Sequence, residues 1–82
     1  MALFMDVHEL DAVTMDAVRD AHSADLAVQH EYGVDYQRYW VDEAQGKIFC
    51  LVEAPDADSA HAVHRAAHGL VADAIYSVQE GA

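Results

Sequence analysis

Eighty-two residues with one cysteine, and fifteen acidic against four basic side chains, describe a single small acidic domain. A net charge of −11 speaks against nucleic acid and anionic membrane as partners, since both are recognised by clustered Lys and Arg. One cysteine leaves no internal disulfide, and a hydrophobic fraction of 54% argues against a disordered chain. A core this small is marginal alone, so a metal or a second subunit is the expected support.

The stretch ALFMDVH, residues 2–8, alternates. Leu3, Met5 and Val7 fall on one side and Phe4, Asp6 and His8 on the other, which is the period of a strand. Thr14 then precedes an Ala-rich stretch with Met15, Val18, Ala21, His22 and Leu26 at helical spacing. Thr14 suits an N-cap, Asp16 the positive end of the dipole and Gly33 the stop. VDYQRYWV (34–41) is rich in aromatic and β-branched residues and reads as a strand. DEAQG turns the chain, and KIFCLVEA (47–54) is a second, mostly apolar strand suited to a sheet centre. Pro55 ends it, Asp56 or Asp58 caps a helix running to about His68, Gly69 closes that helix, and AIYSVQ (74–79) is the last strand.

The order βαββαβ predicts an α+β, ferredoxin-like sandwich over residues 1–82, an antiparallel four-stranded sheet with both helices on one face. Right-handed crossovers give the strand order 4-1-3-2. The uncovered face is expected to carry Phe4 and several of Tyr36, Trp40, Phe49 and Tyr76, too apolar to stay wet. Back-to-back pairing of two sheets would cover it, so a homodimer is expected. No apolar run approaches the roughly 20 residues that span a bilayer. The opening MALFMDVHEL has no basic n-region, apolar h-region or small-residue cleavage site. With the lone cysteine, these features predict a cytoplasmic protein.

The chemistry concentrates in HAVHRAAHG, residues 61–69. At about 100° per residue His61, His64 and His68 fall within roughly 60° of one another, with Val63, Ala67 and Leu70 nearly opposite and facing the sheet. The histidine stripe is therefore expected at the surface or the helix flank. An i, i+4 pair there can chelate one divalent ion; the bland reading is a solvated face. On the first helix His22 and Asp25 lie within or beside the inward arc, as an ion-sharing or ring-orienting pair or a structural one. His8, near the end of the first strand, lies with Asp6 and Glu9 at the same sheet edge as His64 and His68, although a sheet could stand between them. Ligands from two subunits would be the remedy. Cys50 reads as a small core residue, which leaves imidazole and carboxylate as the ligand set. That set suits Ni, Zn, Co or Cu(II) without choosing among them.

The segments MDVH, AHSADLAVQ, GVDYQRYWVD, GKIFCLVEAP and VHRAAHG together resemble a small bacterial family, long labelled a domain of unknown function, with a branch of nickel-binding, nickel-responsive proteins. The resemblance runs along nearly all of the chain. It implies a ferredoxin-like fold, a dimer, and nickel bound near the dimer surface in a storage or homeostasis role. It also implies His8, His22, Asp25, His64 and His68 as the metal-site residues. The function expected is an intracellular nickel buffer or sink without enzymatic activity. Two alternatives remain, a small dimeric enzyme of oxygenase or isomerase type that uses His22 and Asp25, and an interaction module with incidental histidines.

Overall fold

Alternation in the first residues does produce a strand, β1 (Ala2–Glu9), in the computed structural model, which describes residues 1–82. It is followed by α1 (Met15–Val28), a 3-10 turn (Gln29–Tyr32), β2 (Asp35–Asp42), β3 (Lys47–Ala54), α2 (Ala57–Ala67) and β4 (Ala74–Ser77). The strands form one sheet in the order β2-β3-β1-β4, with every neighbouring pair antiparallel. This is the ferredoxin-like arrangement expected from the element order.

Local chemistry explains where the elements stop. Thr14 accepts from the Ala17 amide at 3.2 Å to open α1, and Asp56 accepts from the Ser59 amide at 2.8 Å to open α2. Each satisfies a donor that the first helical turn leaves free. Gly69, at φ +81, turns the chain out of α2 while the His68 and Gly69 amides both donate to the His64 carbonyl. Gly46 lies so close to Leu10 that a Cβ there would sit 2.1 Å from the Leu10 carbonyl oxygen. That approach pins the β2–β3 hairpin to the segment leaving β1.

The core lies between the helices and one face of the sheet and includes Val18, Val34, Ile48, Val52, Ala54, Ala60 and Val63. Only 14 of 82 residues are buried, and four of these are the carboxylates and imidazoles of Asp6, His8, Asp25 and His64. Burying ionisable groups in so small a core is unfavourable unless they serve one another or a ligand. The chemistry of the molecule is therefore located in its core.

Two expectations about facing are corrected. Phe4 pairs with Val52 in the register and packs against the core, on the helix-covered side. Tyr36 is also in the core, 2% exposed. The cause is an irregularity in β2: Tyr36 pairs with Val52, but Arg38 pairs with Leu51. One extra residue reverses the alternation, so Tyr36, Tyr39 and Val41 face inward while Arg38 and Trp40 face outward. The open face then holds Leu3, Met5, Trp40, Leu51 and Tyr76, with Trp40 and Tyr76 largely exposed. On α1 the inward positions are Val18 and Asp25, whereas Met15 and Leu26, expected inside, are exposed.

Candidate metal centre

The buried cluster is built by three elements. Strand β1 supplies Asp6 and His8, two residues apart and hence on one face. Helix α1 supplies Asp25, and α2 supplies His64 and, as its C-cap, His68. His64 sits at the centre. Its Nδ1 is 2.9 Å from Asp25 Oδ1 and its Nε2 is 2.9 Å from Asp6 Oδ2. A ring with a carboxylate at each nitrogen is an imidazolium that donates twice.

The electrostatics agree. Burial alone would lower the pKa of His64, but the hydrogen bonds to Asp25 and Asp6 and their charges overcome it and push the pKa up to about 9. Burial would likewise raise Asp6, yet the imidazoles of His64 and His8 hold its carboxyl below the usual range. The Tyr36 hydroxyl donates to Asp6 Oδ2 at 2.8 Å and lies 3.2 Å from the Ala60 carbonyl oxygen. Burial and the charge of Asp6 push both the Tyr36 hydroxyl and the Cys50 thiol upward. For His68 and His22 burial dominates and depresses the pKa against the pull of Asp25. At neutral pH His64 is therefore a charged imidazole, whereas His22 and His68 are driven toward the neutral form.

Several buried atoms remain without hydrogen-bond partners. Asp6 Oδ1 is 3.2 Å from His8 Nε2, and His68 Nε2 is 3.1 Å from Asp25 Oδ1. Both pairs are within ion-pair distance, but Asp6 Oδ1 and His68 Nε2 have no aligned hydrogen bond, and neither does His8 Nδ1. Unsatisfied buried polar atoms are rare and call for an explanation. A cation supplies one for the carboxylate oxygen, because it binds lone pairs without needing an aligned N–H. Two groups could hold an ion, Asp6–His8–Cys50–His64 and Asp25–His64–His68. In the second, His68 Nδ1 accepts from the Leu70 amide at 3.1 Å, which puts the neutral ring's proton on Nε2. Ligation through Nε2 would shift that proton and release the Leu70 bond.

The structure thus brings together four of the five residues expected at a site: His8, Asp25, His64 and His68. Two placements differ from expectation. His64 is not on an outer stripe but 2% exposed, and its ring lies 4.9 Å from that of His8, edge to face, within one chain and with no sheet between them. A helical wheel cannot show this, since His64 is tolerated inside by carboxylates from β1 and α1. His22 is not in either ligand group. It stacks on Tyr39 with ring centroids 4.7 Å apart and feels Asp25 and His64 only through their charges. His61 also stays outside both groups. Asp6, expected at that sheet edge but not among the metal residues, is the hub; the signal for it is its place two residues before His8 on one strand face.

Comparison with curated proteins gives no match. The crystal structure of SCO4226 from Streptomyces coelicolor A3(2) is similar to this chain with a TM-score of 0.91 and 43% sequence identity, over 99% of this chain and 100% of that one. The model of the family described as "Nickel responsive protein SCO4226-like" matches residues 4–78. This chain, with its buried His–carboxylate cluster, belongs to the SCO4226-like family of nickel responsive proteins.

Proposed function

We propose that the protein binds nickel as cargo and acts as an intracellular buffer or sink for it, without catalysing a reaction. The observation that carries this reading is the pair of buried carboxylates bridged by His64, with Asp6 Oδ1 left unpartnered beside His8. Asp6, Asp25 and a protonated His64 leave one buried negative charge. A divalent ion that displaces the His64 proton can serve both carboxylates in its place. Imidazole and carboxylate are ligands suited to nickel, and the family's description supports that ion.

The protein works as a homodimer in the cytoplasm under this proposal. Leu3, Met5, Trp40 and Leu51 line a groove of about 550 Å³ on the open sheet face, and a second sheet would bury them. No helix is long and apolar enough to cross a membrane. The test is calorimetric titration of the metal-free protein with Ni2+, and with His68→Ala beside it. Saturable binding that the variant weakens is expected; no binding by the wild-type chain overturns the proposal.

A further inference from the structure

Cys50 stands directly opposite Asp6 across the β1–β3 ladder, where facing side chains lie about 5 Å apart on one side of the sheet. In a purely structural role its thiol would be expected to donate to the nearest buried acceptor. The Cys50 thiol is within reach of the Asp6 carboxylate, yet Asp6 Oδ1, fully buried, has no aligned hydrogen bond. His8 Nε2 approaches that same oxygen at 3.2 Å, within ion-pair distance but without an aligned hydrogen bond, and His8 Nδ1 is also unpartnered. One ligand atom from each of Asp6, His8, Cys50 and His64 falls within 4.8 Å of the others. A four-coordinate ion with bonds of roughly 2.0–2.3 Å holds its ligands about 3.3–3.8 Å apart, a spacing that falls inside that limit.

We infer that Cys50 is a metal ligand, and that Asp6, His8, Cys50 and His64 form an inner, sulfur-containing site for a borderline-soft divalent ion such as nickel, cobalt or zinc. This rests on the metal-binding reading above and adds to it a thiolate that the sequence had assigned to plain packing. All four residues are buried, so the inner shell is closed and made of protein alone. The outer group, Asp25–His64–His68, has only three ligands and a half-buried His68, which leaves room for water. Imidazole, carboxylate and thiolate together favour softer ions than imidazole and carboxylate alone.

The binding step balances. The thiol of Cys50 and Nε2 of His64 each lose a proton to solvent, and their freed lone pairs bond the ion along with lone pairs from Asp6 and His8. Two positive charges enter and two leave, so the charge buried in the core is unchanged. His64 keeps its Nδ1 proton and its bond to Asp25.

The test is X-ray absorption and electronic spectroscopy of the wild-type chain loaded with Ni2+ and, separately, Co2+, with Cys50→Ser as the comparison. The expected result is a sulfur scatterer on the ion and a near-ultraviolet sulfur-to-metal charge-transfer band. In Cys50→Ser the band should vanish and affinity should fall at least about tenfold, by analogy with loss of supporting ligands. The wild-type spectra decide the matter even if the variant fails to fold. Ions bound by nitrogen and oxygen alone would overturn this inference and leave the nickel-binding proposal standing. No binding of either ion would overturn both.

Discussion

Asp6 Oδ2 lies 2.9 Å from Nε2 of His64, although the two residues are 58 positions apart and both are buried. With Asp25 on the opposite nitrogen, this contact holds β1, α1 and α2 together through a single ring. The same ring is the only residue common to both candidate ion groups. Its loss should therefore be felt by the fold and by the cargo site together. His64→Ala in the metal-free protein is expected to cost about 3–5 kcal/mol, because two buried carboxylates lose their counter-charge. His68→Ala removes a half-buried side chain and should change stability by no more than about 1 kcal/mol. Thermal or urea unfolding of the two variants checks this; equal, small effects would contradict the central place given to His64.

The expectation that His61, His64 and His68 form a stripe at the surface or helix flank comes from a helical wheel, and the structure shows why it does not hold for His64. Periodicity made the strands, helices, caps and strand order legible, since each depends on residues near in sequence. Facing depended on more. The extra residue between Tyr36 and Arg38 reverses inside and outside within one strand, and nothing in VDYQRYWV signals it. His64 is inward only because Asp6 and Asp25 meet it from other elements. His22 and Asp25, read as a pair, diverge because His22 is taken up by Tyr39. Contacts between distant segments were the part a single sequence could not supply.

The stability of the metal-free protein should depend on pH in a defined direction. The pKa of His64 is raised from 6.5 to about 9, so its contribution is fully present below about pH 6.5 and is lost as the pH rises through 9. The Asp6 pKa is lowered from 3.8, so its contribution is present above that value and is lost as the pH falls below it. The melting temperature should be highest between these limits and decline from pH 6.5 to 9.5. A melting temperature that rises over that alkaline range would show that His64 is not held as an imidazolium.

Tyr36 acts on the cluster through Asp6, whose Oδ2 accepts from its hydroxyl at 2.8 Å. Tyr36→Phe keeps the ring that lies 4.5 Å from His64 and deletes only the donor. A loss of about 1.5–3 kcal/mol in stability is expected for a hydrogen bond to a charged acceptor. Nickel affinity should fall roughly 10-fold or more as Asp6 loses its anchor. Unchanged affinity in a folded variant would show that the hydroxyl serves packing alone.

The open sheet face makes a separate prediction. Trp40 is 48% exposed there beside Leu3, Met5 and Leu51. Sedimentation of the wild-type chain at micromolar concentration should report twice its mass of 9.0 kDa. Trp40→Glu should give a folded monomer, because a carboxylate cannot be buried in that seam without a partner. A wild-type monomer would overturn the dimer, and a variant that remains dimeric would place the interface elsewhere.

The most direct measurement of the central claim is calorimetric titration of the metal-free protein with Ni2+ at pH 7.5 and pH 5.5, each in two buffers of different ionisation enthalpy. With the His64 pKa near 9, the ion must displace a proton from that ring at either pH. Proton release of at least about one per ion is therefore expected at pH 7.5, with affinity about 100-fold weaker at pH 5.5 for each proton displaced. Binding that releases no protons and is equally tight at both pH values would contradict ligation by the buried histidine cluster.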